Sequence, residues 1–338
     1  MHNTQHSSRI PGALGGVSMP DGILNLDKPR GPTSHDVVDR VRTLTGIRRV
    51  GHAGTLDPLA TGVLLVCIGR ATRVAEYLMA GQKVYRARVR LGVTTDTYDA
   101  EGRVVAESLV EVSHAQVEAA LARFRGTIAQ VPPMYSAIKR KGTPLHRLAR
   151  RGVEVKRQPR QVEVFRLELT AWEPPECTLE VTCSPGTYVR ALAHDLGQVL
   201  GCGAHLTGLT RLASGEFRLE DAVTPEEFAQ AAAEGRWSNL LHPIDAALTR
   251  FPALHLDADG ARRLCSGQAI SAPPQPLPPG GGEGRGLARA YGPDETFLAL
   301  VAYDSAASVW RPRKVFCARR LRRRRPEPRP EPDEESER

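Results

Sequence analysis

Apolar positions change period along this chain, and the changes mark its elements. Ile23 to Leu26 forms a short apolar run that predicts a strand, and Ser34 then predicts the cap of a helix carrying Val37, Val38, Val41 and Leu44 on one face. The unbroken run Val63-Leu64-Leu65-Val66-Cys67-Ile68 ends at Gly69, as a buried strand would, and a helix over about 71–79 follows. From Lys83 to Leu91 the pattern alternates. Tyr85, Ala87, Val89 and Leu91 share one face and Arg86, Arg88 and Arg90 the other, so Tyr85 points inward from a half-buried strand. Further helices are predicted at 114–124, 187–200 and 224–234, and strands near 161–171 and 177–183; no segment repeats at a fixed period. The fold class is α/β (α+β).

Texture divides the chain further. Residues 1–20 are rich in Gly, Ser and His and lack the apolar core of a targeting signal; they read as a disordered extension, with Met19 a candidate translation start. Residues 21–250 form the main domain. From about Phe251 short strand candidates alternate with Gly and Pro, including the loop-like stretch Pro273 to Gly286, which predicts a small β-rich domain over 251–318. The tail 319–338 holds eight arginines and six acids among prolines, a composition that cannot bury enough apolar surface to fold. With no apolar run near membrane-spanning length, the chain reads as soluble and cytoplasmic. Its six cysteines, Cys67, Cys177, Cys183, Cys202, Cys265 and Cys317, show no zinc-ligand spacing; they are expected to be reduced and mostly buried, with no metal.

Charge narrows the partner. The 338 residues carry a net +8, and the stretch from Lys139 to Arg160 alone nets +8, with nine basic residues against Glu154. Arg147, Arg150 and Arg151 are spaced i, i+3, i+4, so together with Lys139 they predict a basic stripe on an amphipathic helix. No acids are interleaved as helix partners, which points to phosphates of a nucleic acid, held in a salt-dependent way.

Candidate chemistry lies just before the buried strand. Gly51-His52-Ala53-Gly54-Thr55-Leu56-Asp57-Pro58-Leu59-Ala60-Thr61-Gly62 presents one carboxylate, Asp57, from a loop stiffened by three glycines and a proline. A lone Asp before Pro is ordinarily a turn starter or a helix cap. Here the whole stretch closely resembles the catalytic motif of the TruB family of tRNA pseudouridine synthases. Three more segments resemble that family in order: Gly22 to Pro29, Lys83 to Ala87, and Ser184 to Arg190 continued by Gly201 to Leu206 and Leu209 to Leu212.

The resemblance implies a catalytic domain with a central mixed, largely antiparallel sheet flanked by helices, and a PUA-like RNA-binding module over 251–318. It implies an isomerase acting on uridine 55 of the tRNA T loop, without cofactor, guide RNA, membrane or obligate protein partner. By the same resemblance Asp57 is the nucleophile, Arg190 its ion-pair partner, Tyr85 the residue that stacks on the base and moves a proton, and His52 a wedge that fills the place of the extruded base. Leu209 would line the pocket, and Lys28 and Tyr188 join it among the substrate-binding residues. Two of these roles have independent support. A buried carboxylate needs a cation, and a cation in the first turn of a helix, where Arg190 is predicted, needs a nearby acid. The phenol of Tyr85 suits both stacking and proton transfer. One departure is Pro185, which stands where the family often has a basic residue, so one phosphate contact does not carry over. His194 and Asp195 read as structural or solvated. The alternatives are a uridine isomerase acting on another RNA, including the guide-dependent relatives, and a non-catalytic RNA binder. An aspartate-phosphatase loop is excluded, since Ala53 stands directly before Gly54, where that chemistry needs an aspartate.

Overall fold

The computed structural model describes residues 20–136, 138–140, 142–271 and 286–317. The extension before Pro20, the Pro/Gly stretch 272–285 and the arginine-rich tail from 318 lie outside the described residues. Two compact units divide the chain between Ala247 and Leu248.

In the first unit a nine-stranded sheet runs in the order Gly22–Lys28, Ala60–Ile68, Ala204–Ser214, Lys83–Leu91, Glu176–Cys183, Arg160–Glu173, Gly126–Gln130, with Val50–His52 and Phe217–Arg218 paired at its side. One pairing is parallel, Ala60 to Gly62 beside Leu209 to Arg211; the other strands of this sheet pair antiparallel. The alternation in Lys83–Leu91 is the burial pattern itself: Ala87 and Val89 are fully buried while Arg86, Arg88 and Arg90 are exposed. Helices Ser34–Thr45, His114–Leu121 and Val189–Leu200 pack Val37, Val38, Val41, Val117, Leu121, Leu192 and Leu196 into one core with the inner face of the sheet.

Local chemistry shifts several predicted boundaries. Thr33, not Ser34, caps the first helix: its Oγ1 accepts from the Asp36 amide (3.1 Å) while its own amide donates to Asp36 Oδ2 (2.8 Å), a reciprocal box that leaves the Ser34 hydroxyl for another task. The helix expected over 71–79 is a 3-10 segment, Gly69–Val74, running into a short α-helix, Ala75–Met79. The basic helix is a larger correction. It spans Leu145–Ala149 only and closes at Gly152, whose φ is +71°, so Arg150 and Arg151 lie in the turn beyond it. Arg147, Arg150 and Arg151 are exposed, but they form no helical stripe; Lys139 lies in the two-residue strand Lys139–Arg140, and its side chain is outside the described residues.

The second unit carries a four-stranded sheet in the order Ala253–His255, Leu287–Tyr291, Phe297–Asp304, Val309–Val315, the first pair parallel. Helix Ala258–Cys265, capped by Asp257, covers it, and the fully buried Trp310 anchors its core. Cys265 and Cys317 are joined in a disulfide, against the expectation of six reduced thiols. The helix end and the chain beyond the last strand bring their Cα atoms to 5.7 Å, inside disulfide range. The other four cysteines are free and buried.

Gly62 is where the sheet tolerates no side chain. Its φ is +94°, and a Cβ there would collide with the backbone of Arg211 on the parallel neighbour. Gly62→Ala is therefore expected to lower unfolding free energy by more than about 2 kcal/mol in urea titration, whereas Gly126→Ala, with positive φ but open space around it, costs about 1 kcal/mol.

Candidate active site

The Asp57 loop is tied down at every second residue. Arg211 Nη2 donates to the carbonyl of Gly54 (3.1 Å), Ser34 Oγ to that of Leu56 (3.0 Å), the Gly31 amide to that of Pro58 (2.9 Å) and Lys28 Nζ to that of Ala60 (2.8 Å). Ser34 Oγ also accepts from the Leu56 amide (2.9 Å), which is the task its freedom from capping allows. Two segments, 28–34 and the strand carrying Arg211, thus fix the backbone on either side of one carboxylate.

Lys28 takes a different place from the substrate-binding one expected for it. It is fully buried, and its amine donates to the carbonyls of Pro29, Pro58 and Ala60, so it braces the loop from behind. Burial lowers its pKa to about 8, opposed by the charge of Asp57.

Arg190 stands near the start of helix Val189–Leu200, at 5 % exposure. Its guanidinium makes five polar contacts, four of them hydrogen bonds and one, from Nε, an ion pair. Nε lies 2.9 Å from Asp57 Oδ2, and Nη2 reaches Asp57 Oδ1 (3.2 Å) and the Tyr135 carbonyl (2.9 Å). Nη1 reaches Asp99 Oδ2 (3.1 Å) and the Thr97 carbonyl (3.3 Å). The helix start is itself held by Gln130, whose side chain exchanges hydrogen bonds with the Tyr188 backbone in both directions (2.8 and 3.0 Å). One cation is thus shared by two carboxylates. Asp57 is 39 % accessible from the cleft side, but the protein packed behind it pushes its pKa up; Arg190 pulls it down, Asp99 pushes it up and Lys28 pulls it down.

These groups line a cleft of about 400 Å³, together with Tyr85, Tyr188, Leu209, Pro185 and Arg211. Tyr85 is buried, and burial raises its pKa, so the phenol stays protonated; Arg211 shares a hydrogen bond with it. His52 closes the strand Val50–His52 and is half-buried, with an Nδ1 that has no hydrogen-bond partner. Burial, and then the charge of Arg211, lower its pKa, so the ring is neutral near pH 7.

Asp99 and Arg211 are functional residues that carried no role in the sequence reading. Asp99 lies among turn residues, where an aspartate ordinarily serves the local backbone. Arg211 had a signal: the alternation that buries Leu209 and Ala213 puts it on the same inward face, at 1 % exposure, and a cation there needs partners. It finds them in the carbonyls of Val63 (2.6 Å) and Gly54.

An isomerase is the class this arrangement fits, and a solved structure shares its fold. Cbf5 in the crystal structure of a Cbf5-Nop10-Gar1 complex superposes with a TM-score of 0.68 at 27 % identity, covering 89 % of this chain and 86 % of that one. The profile of the TruB family pseudouridylate synthase N-terminal domain matches residues 42–189, and that of the tRNA pseudouridylate synthase B C-terminal domain matches 190–249. The tRNA pseudouridine synthase B of Syntrophotalea carbinolica is 51 % identical over 253 residues, 72 % of this chain and 80 % of that protein. The protein of the same name from Cupriavidus metallidurans is 47 % identical over 291 residues, 85 % of this chain and 91 % of that protein. The chain belongs to the TruB family of pseudouridylate synthases.

The shared cation predicts different failures for its partners. Arg190→Lys keeps a charge but offers three donors for five acceptors, so turnover is expected to fall on the order of a hundredfold. Activity needs ionised Asp57, whose pKa is raised, so kcat/KM is lost as pH falls through a value above the ordinary carboxylate range. Arg190→Lys should leave that acid limb nearly in place. Asp99→Asn removes a charge that pushes Asp57 up, so its limb moves to lower pH while the maximal rate drops; pH–rate profiles of the two variants check both directions.

Proposed function

We propose that this protein converts uridine 55 in the T loop of tRNA to pseudouridine, acting alone and without a cofactor. The observation that carries the reading is the ionisable Asp57, held two-pronged by Arg190 at a cleft walled by Tyr85 and Leu209. The reaction breaks the C1′–N1 bond, turns the base and joins C1′ to C5; the proton on C5 leaves and N1 gains one, so the product is an isomer and no redox partner enters. Asp57 serves this chemistry by adding to the sugar, by adding to the base, or by assisting elimination across C1′ and C2′, and each route needs the carboxylate charged. Arg190 keeps it charged and aimed.

The base must leave a folded loop to reach Asp57, which costs a few kcal/mol. His52, neutral and without a hydrogen bond to its Nδ1, is free to enter the stack in its place. Tyr85 supplies a ring for the extruded uracil. The exposed cations Arg147, Arg150 and Arg151 and the second unit, read as a PUA-like RNA-binding module, hold phosphates; T-loop shape selects the target. The higher identity to the synthase B proteins than to Cbf5, 51 and 47 % against 27 %, supports an enzyme that needs neither guide RNA nor partner proteins.

The test is tritium release from unmodified tRNA labelled at uridine C5, with purified protein alone. Wild type is expected to release label from position 55 and Asp57→Asn none. Tight binding without release would leave a binder or another RNA substrate. Tyr85→Phe keeps the stacking ring, so a loss of about a hundredfold assigns proton transfer to the hydroxyl, and an unchanged rate reduces Tyr85 to stacking.

A further inference from the structure

Asp99 reaches Arg190 from a turn, Thr95 to Glu101, that belongs to no core element. The turn satisfies itself locally: Asp99 Oδ1 accepts from Thr97 Oγ1 (2.6 Å) and the Glu101 amide (3.1 Å), and its carbonyl accepts from Thr95 Oγ1 (2.7 Å). Two backbone bonds dock it on strand Ala204–Ser214, Leu206 N to the Tyr98 carbonyl (3.0 Å) and Ala100 N to the Leu206 carbonyl (2.9 Å). Neither reaches the helix that carries Arg190.

Tyr98 does. Its φ of +66° lies in the left-handed region, which a bulky side chain rarely adopts, and this conformation immediately precedes Asp99. Its ring lies on the imidazole of His194, with centroids 3.9 Å apart and planes 13° from parallel. His194 stands four residues after Arg190 in helix Val189–Leu200, one turn along the same face. The turn and the helix are therefore joined at two successive levels, Asp99 and the Thr97 carbonyl on Arg190 and Tyr98 on His194. The imidazole has no competing attachment at Nδ1, which is buried without a hydrogen-bond partner. Burial, and then the charge of Arg157, lower its pKa, so a neutral ring meets the phenol.

We infer that Tyr98 and His194 are positioning residues: their stack clamps the Thr95-to-Glu101 turn against helix Val189–Leu200, so that Asp99 holds Arg190 in the orientation that serves Asp57. Neither ring lines the cleft, and the pair acts on the reaction only through the turn's contacts with Arg190, from Asp99 Oδ2 and the Thr97 carbonyl. The inference rests on the function proposed above.

A strained tyrosine allows a clean test, because Tyr98→Gly removes the ring while easing the backbone it leaves behind. Full-length wild type, Tyr98→Gly, Tyr98→Phe and His194→Ala are compared in single-turnover tritium release, in tRNA affinity and in melting temperature. The expected result is a release rate lowered between about threefold and tenfold in Tyr98→Gly and His194→Ala, the worth of one aromatic pair, with affinity unchanged. Tyr98→Phe restores the rate. In an Asp99→Asn background Tyr98→Gly adds less than about twofold, because the charged contact is already lost and only the neutral Thr97 carbonyl still ties the turn to Arg190. Amide exchange over residues 95–101 of the free protein rises in the two ring-loss variants and not in Tyr98→Phe. The inference is overturned if Tyr98→Gly reacts as fast as wild type, if its loss is additive with Asp99→Asn, or if rate, affinity and melting temperature fall together. Should wild type itself release no tritium, the proposed function fails, and unchanged exchange over 95–101 would then independently sink the clamp.

Discussion

A single guanidinium between two carboxylates is the constraint around which this structure is arranged. Burying ions costs several kcal/mol each, and the cost is recovered only where geometry and hydrogen bonding are complete. Arg190 meets that condition with five polar contacts to Asp57, Asp99, Thr97 and Tyr135. The acceptors lie 133, 91, 93 and 55 residues away in sequence, so the cation is satisfied only when three remote segments, around Asp57, Thr97 to Asp99 and Tyr135, are in place together. Its position early in a helix would be unfavourable alone, and the two acids reverse that. The arrangement leaves the carboxylate partly open to the cleft. Catalysis needs that opening, since a fully enclosed Asp57 could stay charged but could touch no substrate.

Rigidity of the nucleophile comes from a second, independent device. Gly54, Leu56, Pro58 and Ala60 turn their carbonyls toward donors from two segments, 28–34 and the strand carrying Arg211, and Lys28 supplies two of those contacts from a position no solvent reaches. A mobile loop would lose orientation of Asp57 to thermal motion, and the advantage of a pre-aimed group with it. The lowered pKa of Lys28 records what burying this amine costs, and its placement behind the catalytic carboxylate reduces that cost, each charge easing the other's burial.

What could be read from the sequence was local in character. The alternation from Lys83 to Leu91 placed Tyr85 inward because a strand's two faces are written in its own residues. The glycines around Asp57 announced a stiff loop, and Gly54 and Gly62 do take positive φ. What stayed illegible depends on which distant segment arrives opposite. Asp99 is indistinguishable from a turn aspartate until Arg190 lies against it, and Lys28 was placed among the substrate-binding residues because nothing near it in sequence shows the carbonyls it faces. The Cys265–Cys317 pair is separated by 52 residues and matches no spacing rule. The basic stretch failed differently: its period was read correctly as i, i+3, i+4, but Gly152 ends the helix before Arg150 and Arg151 can use it.

Register is what joins the apolar core to the chemistry. Tyr85 sits directly opposite Arg211 on the neighbouring strand, and Ala87 opposite Leu209. The same strand Ala204–Ser214 lies parallel to the end of the Asp57 loop, with Arg211 opposite Gly62, so one strand touches both Tyr85 and the Asp57 loop. A slip of one residue would turn Tyr85, Ala87, Val89 and Leu91 to the outer face together and put Arg86, Arg88 and Arg90 into the core. The apolar side chains that forbid this slip do no chemistry. They fix the catalytic distances all the same, because the strand that buries Val89 and Leu91 cannot do so without delivering Tyr85 to Arg211 and the cleft.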